Sequence, residues 1–318
     1  MVAASTSGRP MIELRGLHRL FDDTHAVNGV TFTVGAGEVF GYIGPNGAGK
    51  TTSMRILATL DEPTAGDALV DGLSVVDDPE RVRRRLGFMP DYYGTYDNVN
   101  VVEYLDFFAR AYGLRGTERR RAIDYSMDFT ELGPLATKPI SGLSKGMKQR
   151  LALGRTMIHD PAVMVLDEPA AGLDPRARIE LREMISRLAE SGKAVLISSH
   201  ILTELAEVCH RVGIIEQGRL VAVGTVDEIS NAVAQQSRVR LRVLNQVEDL
   251  SAWLHRREKI AHISREGNLL HFDHTGDQAD QAALLAEIVS QGSQVVEFGC
   301  QAMSLEDVFL QVTKGRVQ

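Results

Sequence analysis

The chain has 318 residues, of which 44% are hydrophobic and 24% charged, and its formal net charge is −7 at pH 7. Its length allows a large core and a second, smaller domain, and the negative charge excludes a global basic field for nucleic acid or anionic lipid. The two cysteines, Cys209 and Cys300, have no metal-ligand or disulfide spacing, which favours a reducing cytoplasm.

The chain shows neither a targeting nor a membrane-spanning pattern. Its first residues lack a cationic start followed by an apolar core, so we expect no signal peptide and assign residues 1–10 to a flexible N-terminus. No stretch reaches the roughly 18 apolar residues of a spanning helix. If the protein works at a membrane, we expect it to dock on a separate membrane subunit.

A glycine-rich segment lies between a short apolar run at 39–43, typical of a buried strand, and a stretch at 51–60 with helical spacing. Glycines there permit turns that direct successive N–H groups toward phosphate oxygens at a helix N-terminus. The pattern predicts that Lys50 reaches the β- and γ-phosphates of a nucleotide and that the Thr51 hydroxyl ligates Mg²⁺. An ordinary tight turn is the alternative, and the flanking strand and helix disfavour it. The predicted ATP-binding residues of this phosphate loop are Gly44, Pro45, Asn46, Gly47, Ala48, Gly49, Lys50, Thr51 and Thr52.

Two adjacent acidic residues follow a second apolar run at 163–166. The run is typical of a buried parallel strand, and ligands in open α/β sheets bind at the carboxyl ends of such strands. Asp167 can hold the Mg²⁺ shell, while Glu168 can polarise the water that attacks the γ-phosphate. The alternative is an acidic strand end in a turn, since Pro169 follows.

Three further motifs follow the phosphate loop in a fixed order. The signature segment, defined as Leu143, Ser144, Lys145, Gly146 and Met147, opens a helix predicted at 149–158. Asp174 lies in Ala171-Gly-Leu-Asp-Pro175, and His200 follows an apolar strand at 194–198. With these motifs the chain resembles the nucleotide-binding subunits of ABC transporters over about residues 11–224. The resemblance implies an α/β P-loop NTPase fold with a RecA-like core, an antiparallel β subdomain and a helical subdomain at about 92–160.

The resemblance also implies roles for these residues. The signature segment contacts the ATP of a second subunit, so two copies form a homodimer that encloses two ATP molecules. His200 contacts the γ-phosphate, Asp174 belongs to the D-loop, and adenine stacks on Phe21. Each residue also has a structural interpretation: Ser144 and Asp174 as helix caps, Phe21 as core and His200 as a structural histidine.

Asp91 departs from the family pattern, in which a glutamine usually follows an apolar strand and proline; here that stretch is Leu86-Gly-Phe-Met-Pro-Asp91. Aspartate offers Mg²⁺ a shorter, charged carboxylate in place of a neutral amide. We predict that Asp91 still senses Mg²⁺ and that it alters coupling or turnover. The tyrosines at 92, 93 and 96 follow it, either as anchors for a membrane subunit or as packing residues.

Residues 225–318 show a different pattern. Strands are predicted at 237–243, 260–264, 269–272 and 293–298, with helices at 247–257, 277–291 and 305–312. The order βαββαβ predicts a small α+β module of ferredoxin-like type, interpreted as an accessory domain that stabilises a dimer or regulates activity. Residues 304–313 resemble the C-terminus of drug- and polyketide-exporter ATPases of the ABC-2 type.

These features together indicate an ATPase subunit that binds ATP and Mg²⁺ and powers a separate ABC-2 type permease, an exporter, at the cytoplasmic face of the cell membrane. Two alternatives stay open: a soluble ABC ATPase acting in DNA repair or translation, and a weakly hydrolysing regulatory or binding module because of Asp91. Repair types need large insertions and translation types carry two cassettes, whereas this chain has one compact cassette. Antibiotic, lipid, polysaccharide and ion export all fit the pattern.

Overall fold

The computed structural model describes residues 9–92, 94, 98–200, 207–229 and 236–302. Contacts divide the chain into two units, Met1–Thr225 and Val226–Gln318. Two regions named from the sequence, the start of the chain at 1–8 and the predicted helix at 305–312, lie outside the described residues.

An antiparallel sheet of four strands, in the order β2-β1-β4-β5, forms one layer of the first unit. Its long hairpin consists of β1 (Ile12–Phe21) and β2 (Thr24–Val34), and β4 (Ala65–Val70) and β5 (Leu73–Ser74) complete it. Apolar side chains alternate along the hairpin, so one face is buried and the other is open to solvent.

A second sheet has six strands in the order β10-β9-β3-β8-β7-β6, all parallel except β10. The central strands are short, continuous apolar runs because both faces of this sheet are buried. Phe32 of the first sheet stacks on Phe40 of the second, with ring centroids 4.7 Å apart, which joins the two layers in one core. The strands are β3 (Val39–Ile43), β6 (Leu86–Met89), β7 (Val163–Leu166), β8 (Ala194–Ser199), β9 (Arg211–Glu216) and β10 (Arg219–Thr225).

The helices of the first unit fall into two groups. Those connecting the strands are α1 (Lys50–Leu57), α2 (Pro79–Arg85) and α6 (Pro175–Glu190). A helical subdomain contains α3 (Val101–Ala111), α4 (Gly116–Phe129) and α5 (Lys145–Met157), with its own core around Tyr104, Leu105 and Leu151. These layers confirm the predicted α/β fold with an antiparallel β subdomain and a helical subdomain.

Two predicted helix boundaries in this unit are wrong. The helix after the phosphate loop spans Lys50–Leu57 instead of 51–60, and a left-handed residue at Thr59 follows its end. The helix predicted at 149–158 begins four residues earlier, at Lys145. Its start moves because the Ser144 side chain caps the helix, accepting a hydrogen bond from the Met147 N–H.

The second unit follows the predicted β-α-β-β-α-β order. Its antiparallel sheet has the order β12-β13-β11-β14, and the hairpin turns at Gly267 and Asn268. One face of the sheet packs on the two helices through Leu241, Phe272 and Ile288. The elements are β11 (Gln236–Val243), α7 (Val247–Leu254), β12 (Ile260–Glu266), β13 (Leu269–Thr275), α8 (Gln278–Ser290) and β14 (Val295–Ala302).

Within the described part of the chain, no helix is long and apolar enough to cross a membrane. Cys209 and Cys300 are both free thiols, as the sequence predicts. Burial raises the pKa of each of these thiols, which disfavours the reactive thiolate.

Candidate functional site

The carboxyl ends of four neighbouring strands form one edge of the parallel sheet. Backbone pairing aligns β3 with β8, β8 with β7 and β7 with β6. Because parallel strands end at the same edge, residues that are far apart in the chain become neighbours there. The predicted site residues that follow these strands are, in sheet order, Gly44, His200, Asp167 and Asp91.

The phosphate loop between β3 and α1 requires glycine at two positions. Gly49 caps α1 in the left-handed region, with φ of 105°, and a Cβ there would lie 2.2 Å from the Ala26 carbonyl oxygen. A Cβ on Gly44 would lie 2.4 Å from the Ile215 carbonyl oxygen. The backbone therefore passes too close to its neighbours for any larger residue. It leads directly into the N-terminus of α1, which favours an anion.

Lys50 lies in the first turn of α1 and is 5% exposed. Its ammonium donates hydrogen bonds to the carbonyl oxygens of Gly44 at 2.6 Å and Pro45 at 3.2 Å. Burial lowers the pKa of Lys50, and the carboxylate of Glu168 counters that change. The charge is thus held inside the loop, ready for a negatively charged ligand.

Asp167 is fully buried just beyond the end of β7, and its two carboxylate oxygens differ. Oδ1 accepts a 2.5 Å hydrogen bond from the Ser198 hydroxyl, whereas Oδ2 is buried and has no hydrogen-bond partner among the residues that the structure describes. Burial raises the pKa of Asp167; the charges of Asp91 and Glu168 add to the rise, and the hydroxyls of Ser198 and Thr51 counter it. A carboxylate in these surroundings favours a cation.

The Glu168 carboxylate lies between side-chain nitrogens of two other residues. Its Oε1 is 3.5 Å from the Lys50 ammonium, and its Oε2 is 2.8 Å from Nδ1 of His200. Glu168 also has a φ of 47°, a left-handed conformation that is uncommon for a residue with a side chain. The structure therefore brings together three residues predicted from separate motifs, at positions 50, 168 and 200.

Asp91 and Phe21 are both exposed. The charge of Asp91 acts on Asp167, which places it near the proposed metal position, and its Oδ1 accepts a hydrogen bond from the Tyr92 N–H. Phe21 ends β1 with 43% of its surface exposed and the Arg19 guanidinium 4.4 Å from its ring centroid. Tyr92 is 82% exposed, so it is not a packing residue; Tyr93 and Tyr96 lie outside the described residues.

The signature segment forms a separate site with Asp174. Asp174 caps α6 by accepting the Ala177 N–H at 3.0 Å, and Gly146 fits closely against Ala177. A cavity of about 260 Å³ lies beside Ser144, Gly146 and Asp174. Among the residues the structure describes, no hydrogen bond or ion pair links the signature segment to the phosphate loop.

Sequence reasoning missed two polar residues of the site. Ser198, at the end of an apolar strand, contacts both Asp167 and Glu168. Gln149 is buried in α5 and donates a 2.5 Å hydrogen bond to the Pro169 carbonyl, so the signature helix touches the turn after Glu168. The available signal was a polar side chain at a position where the pattern requires an apolar one.

The residues present fit a magnesium nucleotide. The glycine loop leads into the N-terminus of α1, and Asp167 Oδ2 is a buried oxygen with no hydrogen-bond partner among the described residues. Hydroxyl and carboxylate oxygens suit Mg²⁺, which keeps several waters and takes few protein ligands. The described residues contain no group of three or more His, Cys, Asp or Glu side chains that could hold a metal ion alone.

A glycine loop between strand and helix, a buried lysine and an acidic pair at the adjacent strand end define a P-loop nucleotide-binding protein. Residues 27–171 match the ABC transporter family, and residues 224–313 match the C-terminal domain of DrrA1-3-like ATP-binding proteins. The chain belongs to the family of ABC transporter ATP-binding proteins.

Relatives support this assignment over different lengths. The chain is 33% identical to the uncharacterized ABC transporter ATP-binding protein YxlF of Bacillus subtilis, over 95% of this chain and 99% of that protein. It is 38% identical to the Nod factor export ATP-binding protein I of Burkholderia thailandensis, over 67% of this chain and 70% of the relative. It is also 38% identical to the probable multidrug ABC transporter ATP-binding protein YbhF of Escherichia coli, over 70% of this chain, but it spans only 39% of that protein's length.

A solved structure shares the fold of the cassette. The ATP-binding subunit of an ABC transporter superposes with a TM-score of 0.63 at 32% identity, covering 70% of this chain and 92% of that one.

Proposed function

We propose that the chain binds and hydrolyses ATP as one of a pair of subunits and powers a separate membrane permease of the ABC-2 type, an exporter. The observation that carries the proposal is the position of the Glu168 carboxylate, between the Lys50 ammonium at 3.5 Å and the His200 imidazole at 2.8 Å. Such a carboxylate can accept a proton from water while neighbouring cations stabilise a phosphoryl group.

The phosphates bind in the loop 44–52, where the backbone N–H groups, the α1 N-terminus and Lys50 hold them. Thr51, Asp91 and Asp167 would hold Mg²⁺, which would neutralise charge on the phosphate oxygens. Support for this assignment comes from the unpartnered Oδ2 of Asp167 and from the charge of Asp91 acting on it.

Glu168 orients the attacking water and takes its proton as the water oxygen bonds to the γ-phosphorus and the bond to the ADP oxygen breaks. His200 holds the Glu168 carboxylate and contacts the γ-phosphate, and Lys50 stabilises the charge on the departing group. Adenine stacks on the exposed ring of Phe21.

Two copies complete the site. The signature segment of one chain faces the γ-phosphate bound by the other, presenting the capped N-terminus of α5. The separation of the signature segment from the phosphate loop within one chain supports this arrangement. Opening and closing of the pair moves the permease, with the subunits peripheral on the cytoplasmic face of the membrane. The export direction follows the relatives named for multidrug transport and Nod factor export.

The test uses the purified chain and its Glu168→Gln variant with ATP and Mg²⁺. The wild type should hydrolyse ATP; the variant should lose about a hundredfold or more of the rate and elute as an ATP-dependent dimer. Glu183→Gln, an exposed change on α6, is the matched control. Wild-type turnover in Glu168→Gln would remove the assigned role. Co-purification with a polytopic membrane protein tests the partner.

A further inference from the structure

The Ser198 hydroxyl joins two residues of the site. Ser198 is fully buried in β8; it donates a hydrogen bond to Asp167 Oδ1 at 2.5 Å and accepts one from the Glu168 backbone N–H at 2.9 Å. A hydroxyl has one donor and two acceptor positions, so both bonds form at once. The bonds follow from the parallel pairing of β7 with β8, which aligns Leu166 with Ile197.

The bond to the Glu168 N–H holds a strained turn. Glu168 has a φ of 47°, and Pro169 follows it. Left-handed residues with side chains persist where the surroundings determine them. Ser198 supplies such a constraint from the neighbouring strand. With the backbone fixed, the Glu168 side chain reaches Lys50 and His200.

The bond to Asp167 determines which carboxylate oxygen is left without a hydrogen bond. Ser198 donates to Oδ1, and the buried Oδ2 has no hydrogen-bond partner in the described part of the chain. A carboxylate rotates about its last bond with little preference, so a fixed partner is needed to hold one orientation. The hydroxyl thereby leaves Oδ2 as the carboxylate oxygen that is available to a cation.

We infer that Ser198 is a positioning residue that sets the cation-facing oxygen of Asp167 and the backbone of Glu168 through one hydroxyl. The inference rests on the proposed ATP hydrolysis. The Ser198 hydroxyl couples two tasks, holding Mg²⁺ and orienting the attacking water, because both depend on its two hydrogen bonds.

The test compares Ser198→Ala, which removes only the hydroxyl, with Ser126→Ala as a matched control. Ser126 is equally buried in the helical subdomain, and its hydroxyl has no hydrogen-bond partner within the described ranges. The measurements are kcat, KM for ATP with Mg²⁺, the ADP affinity with Mg²⁺ and with EDTA, and the melting temperature.

In Ser198→Ala, kcat should fall about tenfold or more, and KM for ATP with Mg²⁺ should rise about threefold because the Mg²⁺-dependent part of nucleotide binding weakens. The gain in ADP affinity on adding Mg²⁺ should shrink about threefold or more, while the affinity in EDTA stays unchanged. Ser126→Ala should match the wild type in all these values.

Two results would overturn the inference. One is a Ser198→Ala variant whose kcat and Mg²⁺-dependent affinity gain both match the wild type. The other is an equal loss of ADP affinity with and without Mg²⁺ together with a lowered melting temperature, which assigns Ser198 to folding alone. If the wild type binds nucleotide but does not hydrolyse ATP, the proposed function fails, and the Mg²⁺-dependent gain still decides the role of Ser198.

Discussion

The Nζ atom of Lys50 lies 3.5 Å from Oε1 of Glu168, with exposed side-chain fractions of only 5% and 16%. The lysine comes from the first turn of α1 and the glutamate from the end of β7, so the pair joins two elements across the site. A bound γ-phosphate competes with Glu168 for the ammonium. We therefore expect nucleotide binding to free the carboxylate for its contact with water.

The signature segment gives the first prediction. Ser144→Arg places a long cation where the proposed second subunit presents its γ-phosphate, so ATPase activity should fall about a hundredfold. ATP affinity of the isolated chain should stay within about twofold, because the phosphate loop is separate. Loss of the cap at α5 should cost about 1 kcal/mol of the free energy of unfolding.

Ser144→Asn is the matched control for that change. Asparagine is as good an N-cap as serine, so the variant should keep wild-type stability in urea unfolding. An active Ser144→Arg enzyme would remove the signature segment from the site.

Asp91 gives the second prediction. Its charge acts on Asp167, so Asp91→Gln should raise the Mg²⁺ concentration for half-maximal ATPase about fivefold, equivalent to roughly 1 kcal/mol of lost attraction. The measurement is an Mg²⁺ titration at saturating ATP. Asp124→Asn, another exposed acid, should leave the curve unchanged. Identical curves for Asp91→Gln and the parent would contradict a role in metal binding.

The exposed ring of Phe21 gives the third prediction. Phe21→Ala should weaken ATP binding about fivefold, the loss expected for one stacking contact of about 1 kcal/mol, while Phe21→Trp should retain it. The affinity can be measured by calorimetry in the presence of EDTA, which prevents hydrolysis. Phe107→Ala removes another exposed ring, 55% exposed, from the helical subdomain and serves as the control. Equal effects of both alanine variants would argue against adenine stacking on Phe21.

His159 gives a prediction about pH and stability. Its ring stacks on Tyr112 with centroids 3.7 Å apart, and its Nε2 donates to the Leu86 carbonyl at 3.2 Å. Burial lowers the pKa of His159 from 6.5 to about 4. As the pH falls, the unfolded chain therefore binds this proton before the folded chain does. The contribution of neutral His159 to the free energy of unfolding is complete above the unfolded pKa and is lost as the pH falls toward the folded pKa.

The expected loss through His159 is about 2 kcal/mol of unfolding free energy on going from neutral pH to about pH 5. His159→Gln keeps a donor for the Leu86 carbonyl but cannot be protonated. Over that pH interval, its free energy of unfolding should therefore fall by about 2 kcal/mol less than that of the wild type. Urea unfolding at both pH values gives the difference. Parallel pH dependence in the two proteins would show that His159 is charged in the folded state.

Local sequence was enough for features that depend on neighbouring residues. The phosphate loop is recognisable because strand, glycines and helix follow one another within 39–57, and each needs only its own backbone geometry. The same holds for the caps at Ser144 and Asp174, whose partners lie three residues away. The predicted start at 149 followed apolar spacing, whereas the Ser144 cap sets the start of α5 at Lys145.

The sequence by itself determined which residues could bind phosphate and metal, because composition and spacing decide the chemistry available. Only the tertiary structure decided how they act on each other. Ser198 and Asp167 are 31 residues apart, and His200 and Glu168 are 32 apart, so their hydrogen bonds depend on the pairing of β7 with β8. Pairing between distant strands sets positions that no local pattern encodes.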